Sequence, residues 1–510
     1  MAKLKRVLAG ALSLCMVGSM LTACGDDSSS KSDASSKSNS SSAADSKADS
    51  SAADSTADSS TADSSTAESN PDRKNTAEIH GEPSSDASKN TVKIYCWNTE
   101  FKSRVDKFYP KYTKLKVETG TYKDKDGKEL TEVKTIDGKK VEWVVNTNDG
   151  GVYQTKLDEA LKAQPKSADK VDMFLMEADY AMKYTDGNVA LSIQDMGITA
   201  DDTKEMYQYT LDAATSSKDG EVKGLSWQAT PGLLYYNVDK AKEVLGSDDP
   251  AEVQKAVADW DKFKETAEKM KAKGYKMLSS FADTYRVFTS NVSAPWVTDG
   301  KLTIDPQIDT WIKYTKEWTD AGYINGTDQW QAPWQNDQKA DSKVFCFFFP
   351  SWGLPNCLAS NSGEAGKGKW KGCPGPTSWY WGGTWICGAI DTDNLDIVTD
   401  IMKVMTCDKE CAKDITKTEN DYTNNKAGIK ELQESGFTSE FLGGQNHLAL
   451  MSDNADKISL KGKISPYDQF CVEGMQGAMG EYFKGETTYE KALEKFKTDL
   501  KKKVGDAVEI

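Results

Sequence analysis

Apolar residues fall into three regimes along this chain. Val7 to Met20 is an almost unbroken run of small and apolar residues. From Gly25 to Glu78 there is no Val, Ile, Leu, Phe, Trp or Tyr. Beyond residue 90 apolar positions return with strand and helix periods in alternation. Thr91 to Trp97, with Val92, Ile94, Tyr95, Cys96 and Trp97, predicts a strand. Ser103 to Lys114 spaces Val105, Phe108, Tyr109 and Tyr112 as a helix does. Glu142 to Val145 predicts a strand ending in the turn-rich Asn146-Thr147-Asn148-Asp149-Gly150-Gly151. Tyr153 to Ala163 follows as a helix and Val171 to Met176 as a buried strand. Strands alternating with helices predict an α/β fold on a largely parallel sheet, with ligands beyond the carboxyl ends of the strands. Trp97-Asn98-Thr99-Glu100 and Glu177-Ala178-Asp179-Tyr180 occupy such ends. Between them, Gly120 to Lys140 predicts two polar hairpins turning at Lys125-Asp126-Gly127 and Ile136-Asp137-Gly138. Asp124, Asp126 and Glu129 offer calcium as a minor alternative there, short of the full EF-hand spacing.

The first two regimes describe an address and a spacer. Lys3, Lys5 and Arg6 precede the apolar run, and Leu21-Thr22-Ala23-Cys24 closes it, the layout of a secretory signal. A cysteine directly after small residues resembles the lipobox of bacterial lipoproteins. That resemblance implies a lipoprotein signal peptide over 1–23, cleavage before Cys24 and lipid on that cysteine. The alternative is an ordinary signal peptide with an incidental cysteine. Residues 24–90, rich in Ser, Ala and Asp, cannot bury enough apolar surface to offset their conformational entropy. They read as a disordered tether with a root-mean-square span of roughly 45 Å. The expected location is the outer face of the cell membrane of a Gram-positive bacterium.

Composition narrows the body, residues 91–510. It is too long for one compact core and suits two lobes. The formal charge is −15, and losing Lys3, Lys5 and Arg6 takes it to −18. This excludes nucleic acid as a partner and disfavours anionic ligands. Eight cysteines remain after Cys15 and Cys24; Cys96, Cys346 and Cys387 lie in apolar runs, and mostly free, buried thiols are expected. There are only two histidines, His80 in the tether and His447, which is expected at the surface or a cleft edge. A Ser-His-Asp triad or a His-rich metal site has little to draw on, no Walker-type loop is evident, and no cofactor is expected.

Five segments in order resemble a known family. They are Val92 to Asn98; Val171 to Met176 followed by Asp179 and Asp186-Gly187-Asn188; Gly232 to Lys240; Trp260-Asp261-Lys262-Phe263; and Phe347-Phe348-Phe349-Pro350-Ser351-Trp352. Together they resemble the extracellular solute-binding proteins of family 1, the maltose-binding-protein-like carbohydrate receptors of ABC importers. Nearly all of 91–510 is covered. Val171 stands where the family has Pro, and Pro350-Ser351-Trp352 where it has Gly-Pro-Trp. The resemblance implies a two-lobed periplasmic-binding-protein-like fold (type II) with a ligand cleft between the lobes. Lobe 1 would take about 91–226 and 384–440, lobe 2 about 231–380 and 441–510. Crossings would fall near Trp227 to Pro231, Trp379 to Trp385 and Phe441. The implied partners are an oligosaccharide and permease subunits, with the protein acting as a monomer.

The residues themselves make a parallel case for sugar. A pyranose presents one apolar face and a rim of hydroxyls, so it needs flat aromatic platforms beside carboxylates and amides. All 14 Trp lie beyond residue 90. Trp97, Trp227, Trp334, Trp352, Trp379 and Trp381 sit in turns or at strand ends. The resemblance makes Asp179 the first-lobe acid for sugar hydroxyls and Trp352 a second-lobe platform. Asn98 and Glu100 would supply polar contacts, and Trp381 would lie near the ligand. The candidate ligand site is Trp97, Asn98, Glu100, Asp179, Trp227, Trp352 and Trp381. A surface glycoside hydrolase using paired carboxylates and an importer protein for a non-sugar solute, such as a polyamine or peptide, stand as alternatives.

Overall fold

The computed structural model describes residues 84–124 and 127–510. The signal sequence, Cys24, His80 and the tether through residue 83 lie outside the described residues, as do Lys125 and Asp126. The calcium reading, which uses Asp126, falls outside them with that turn. Packing on the body begins before Thr91. Ser85 caps the short helix Asp86–Lys89, whose Ser88 is buried and donates to Asp393 at 2.6 Å. Residues 85–90, expected in the tether, therefore belong to the body, tied to it by a contact far away in sequence.

The strands used below, in chain order, are β1 Thr91–Cys96, β2 Val117–Lys123, β3 Glu129–Ile136, β4 Lys139–Val145, β5 Met173–Glu177, β6 Leu225–Ser226, β7 Gly232–Asn237, β8 Leu278–Ser280, β9 Ile324–Thr327, β10 Cys346–Pro350, β11 Trp370–Cys373 and β12 Thr384–Gly388. Seven of them form one sheet in the order β2-β3-β4-β1-β5-β12-β6. Only β4-β1-β5 is parallel, and the remaining pairs run antiparallel. The sheet is thus mixed, against the largely parallel one expected. The cause is connection length. β2, β3 and β4 are joined by turns too short for a crossover, so they must run antiparallel. Asp137 and Gly138 take φ of 47° and 80° at the second turn, the geometry an Asp-Gly pair supplies.

A second sheet, β10-β7-β11, is antiparallel throughout, and β8 and β9 pair in parallel beside it. Strand alternation sends successive side chains into different cores. Met173 and Leu175 join one core, while Phe174 and Met176 join a second together with Leu233 and Tyr235. Leu234 and Tyr236 face a third, which the helices Pro306–Asp320, Asp468–Phe483 and Tyr489–Val504 cover. The fold is α/β, with two sheet-centred bodies.

Adjacent stretches join them. Residues 227–232 run from β6 to β7, with Pro231 bridging Tyr380 on one side and Gln228 bridging Thr423 on the other. Trp379, Tyr380 and Trp381 then lead into β12. Tyr422 and Asn424 also pair with residues 227–229, through the Ala229 amide and the Trp227 carbonyl, and Phe441 accepts from the backbone of Gly368.

All eight described cysteines are unpaired and seven are buried, as small hydrophobes in the cores. His447, expected near the surface, is buried against Phe437, and burial pushes its pKa down to about 4. Its neighbours Leu448 and Met451 are core residues, and they draw it inward. Among the described residues, no helix is long and apolar enough to cross a membrane.

Candidate functional site

β5 ends at Glu177, and the next three residues form a single turn of 3-10 helix, Ala178–Tyr180. The Glu177 carboxylate accepts from the Asp179 amide at 2.9 Å, while Tyr180 is buried. The Asp179 side chain is thereby turned out from the first sheet. It meets Arg286, from the short helix Tyr285–Thr289, in a two-pronged ion pair with both N–O distances at 2.7 Å. The Arg286 guanidinium also lies 5.0 Å from the ring centre of Trp381.

Trp381 stands on the joining segment, its amide donating to Thr230 at 3.3 Å. Its carbonyl accepts from the indole N–H of Trp352 at 2.9 Å, and the two rings meet edge to face at 5.1 Å. Trp330 closes the group, 5.6 Å from Trp381 and nearly parallel to Trp352 at 6.4 Å. Gly382 has φ of 70°, and a Cβ there would come within 3.2 Å of the Trp352 Nε1 and 3.6 Å of the Glu177 carboxylate. The backbone thus passes between an acid of the first sheet and an indole of the second, which only glycine permits at that φ. A cavity of about 550 Å³, counting its open mouth, is lined by Asp179, Arg286, Tyr380, Trp381, Lys463 and Asp468 among others.

Three of the residues expected from sequence, Asp179, Trp352 and Trp381, thus come together. Trp97 lies one layer behind, its ring 5.5 Å from Tyr153 and 6.3 Å from Tyr180. Asn98 accepts from the Glu100 amide at 2.9 Å, and Glu100 opens the helix Glu100–Tyr112 three residues earlier than the periodicity suggested. The Glu100 carboxylate accepts from Gln228 at 3.2 Å, which also donates to Asp421 at 3.1 Å. Glu100 and Asn98 therefore sit by the joining segment and do not line the cavity. Trp227 is a correction. It is 1 % exposed and stacks on Phe101 at 5.0 Å. Leu225 and Trp227, two apart along an extended chain, face the same core, and strand alternation overrides the position at a strand end. Trp334 and Trp379 are likewise buried.

Arg286, Glu177 and Trp330 were not among the sequence candidates. A signal for Arg286 was present: the chain has four arginines against sixty lysines, and this one interrupts the apolar run Tyr285 to Phe288. An arginine kept where lysine is the habit points to a bidentate partner. Trp330 takes φ of 73°, an uncommon conformation for so bulky a residue that no composition rule reveals.

Burial sets the electrostatics. Glu177 is raised well above the ordinary carboxyl range by burial first and then by Asp179 beside it. Glu100, Asp283 and Asp468 are pushed up to about 7 and Asp172 to about 6, with burial the first cause in each. Such a group keeps its proton in the folded chain at a pH where the unfolded chain has lost it. Its stabilising share is complete below about pH 4 and is lost as pH rises through its folded value. His447 has the opposite sign, its share complete above about pH 6.5 and lost as pH falls through its depressed folded value. Several carboxyls outweigh one imidazole in the upper range. The apparent melting temperature is expected to rise from about pH 8 to about pH 5.5 and to turn over below about pH 4. Calorimetric scans across that range check it; a steady fall from the alkaline end would contradict it.

The model of the bacterial extracellular solute-binding protein family matches residues 132–431, more than half of the chain. The chain belongs to that family. As a bacterial extracellular solute-binding protein it binds a solute and is not an enzyme, which removes the hydrolase alternative. Solved structures share its fold. A family 1 extracellular solute-binding protein superposes with a TM-score of 0.64 at 16 % identity, over 82 % of this chain and 99 % of its own. An ABC-transporter-associated binding protein from B. animalis subsp. lactis Bl-04, in complex with β-1,6-galactobiose, gives 0.59 at 17 %, over 82 % and 100 %. The sugar-binding protein MalE from Xanthomonas citri gives 0.58 at 12 %, over 81 % and 98 %. At these identities the likeness concerns the two-lobed fold. No curated protein sequence matches the chain.

Proposed function

We propose that this solute-binding protein is a lipid-anchored receptor that captures an oligosaccharide in its cleft and presents it to the permease of an ABC importer. One observation carries the reading: a carboxylate from the end of β5, Asp179, and the Trp381 indole line one open cavity, joined through Arg286, and Trp352 and Trp330 pack against Trp381. Hydroxyl rims and apolar sugar faces call for this pairing. The sugar complex of the β-1,6-galactobiose-binding relative supports it by likeness of fold. We assign lobe 1 to about 91–226 and 384–440 and lobe 2 to about 231–380 and 441–510. The packing of helix Leu448–Ala455 on β7 supports the last boundary. Capture then proceeds by closure of the lobes on a ligand that contacts both.

Incubating the purified protein with a labelled glycan array tests the sugar. Saturable binding with every glycan recovered intact is the expected result. Binding of amines or peptides in place of glycans would overturn it. The anchor has its own test. Cys24→Ala is expected to abolish incorporation of a fed radiolabelled fatty acid and to release the protein from membranes. Two acyl chains, at about 0.8 kcal/mol per buried methylene, hold firmly, and none would remain. A wild-type protein that never takes up the label would refute the anchor while leaving the cleft untouched.

A further inference from the structure

Gln228, buried in the joining segment, is held from two elements at once. Its side-chain nitrogen donates at 3.2 Å to Glu100, the first residue of the helix Glu100–Tyr112, and at 3.1 Å to buried Asp421. Two carboxyls thus share one neutral amide. The charged groups facing Glu100 are Asp421 and Glu419 from other elements and Arg104 from its own helix. The nearby cations serve the third acid. Glu419, which ends the helix Lys409–Glu419, takes Nη1 of Arg104 at 2.9 Å and the Lys107 ammonium at 2.6 Å.

Glu100 has a second place to go. Arg104 stands one helical turn further on, its Nη2 3.8 Å from the same Glu100 oxygen that accepts from Gln228. The Arg104 Nε is buried with no hydrogen-bond partner. Nε and Nη2 make up one fork of the guanidinium, a shape that matches a carboxylate, and this fork is open. A neutral carboxyl gains little there, whereas a carboxylate is drawn to it and repelled by Asp421. Burial first, and then the Asp421 charge, push the Glu100 acid up to about 7. Its side chain is 29 % exposed, so the proton has a way out to solvent.

We propose that Glu100 is a proton-operated switch on the joining segment: protonated, it stays on Gln228 beside Asp421; ionised, it swings to the open fork of Arg104 and frees one side of Gln228. The segment that crosses to β7 is thus held more loosely as pH rises. This goes beyond the sugar reading, and its test needs no ligand. The isotopically labelled protein is titrated by NMR from about pH 5.5 to about pH 8.5, across the range where a raised carboxyl ionises. The signal followed is the Gln228 side-chain amide, assigned by its loss in Gln228→Leu. It is expected to shift with a midpoint of about 7. In Glu100→Gln, which keeps an acceptor and cannot ionise, it is expected to stay still. In Asp421→Asn the midpoint is expected to fall toward the ordinary carboxyl range, because the repulsion is gone. Hydrogen exchange of the Ala229 amide, which donates to the Tyr422 carbonyl at 3.1 Å, reports on the segment itself. Corrected for the intrinsic pH dependence of exchange, its protection is expected to drop about tenfold over the titration in the wild type and to hold in Glu100→Gln. Near-UV circular dichroism confirms folding of each variant, and the wild-type titration decides alone if a variant fails to fold. A Gln228 amide that does not titrate, a titration that survives in Glu100→Gln, or Ala229 protection that does not follow the titration would each overturn the switch. Failure of every glycan to bind would remove the sugar reading and leave the switch standing.

Discussion

Gly232→Ala is expected to cost about 3 kcal/mol of stability or more, and to impair the cleft as well. Gly232 opens β7 at the joining segment, and its amide donates to the Trp379 carbonyl at 2.8 Å. The Trp379 indole lies flat on it: an added Cβ would sit 2.1–2.5 Å from three ring carbons. The ring cannot swing away, being 1 % exposed and packed on Phe348 at 6.2 Å. Overpacking a close-packed core usually costs about 1–3 kcal/mol, and a methyl driven into a locked ring belongs at the upper end. Any shift of Trp379 is passed to Tyr380 and Trp381, the next two residues, so ligand affinity should fall together with the unfolding midpoint. Gly372→Ala, in the adjacent strand β11, is the control. Its Cβ would meet Leu233 and Tyr235 at 3.4 Å, an ordinary contact, and less than about 1 kcal/mol is expected. Urea unfolding followed by tryptophan fluorescence compares the two. Equal midpoints for both variants would mean that the indole has room to yield.

Local physics was legible in the sequence, and tertiary contact was not. Thr91 to Cys96, the helix Val152–Ala163 and the Asp137-Gly138 turn are near to what alternation, helical spacing and turn chemistry demand, because each is set within a dozen residues. The mixed sheet was not legible. Periodicity marks a strand but not its neighbour, and β12 takes its place between β5 and β6 after a long excursion through the other body. Residues 85–90 failed for a similar reason: a Ser-rich segment looks like tether until Ser88 finds Asp393, 305 positions away.

The site divides along the same line. Asp179, Trp352 and Trp381 stand beyond β5, beyond β10 and ahead of β12, positions that strand and turn signals mark, and the family resemblance ordered them. Trp227 occupies the same kind of position, yet its two-residue offset from Leu225 turns it into the core. Its alternation was readable and outweighs its place at a strand end. Arg286 makes no sense locally: a charged residue amid Tyr285, Val287 and Phe288 becomes intelligible only when Asp179, 107 positions earlier, arrives beside it. Its rarity among sixty lysines was the one sign available.

Trp381→Ala should weaken glycan binding by about 2–4 kcal/mol, roughly 30- to 1,000-fold, as the loss of a central aromatic anchor does. Trp381 is where the site's parts converge. Its ring carries the Arg286 guanidinium and touches Trp330 and Trp352, while its carbonyl fixes the Trp352 indole. A sugar stacked there would gain the platform and the Asp179 carboxylate together. Removing the ring takes away the stacking surface, which weakens binding. Trp381→Phe, which keeps a ring face, should lose much less. Titration calorimetry with a glycan recovered from the array compares the two variants with the wild type. No loss in either, with folding intact, would place the sugar elsewhere in the cleft.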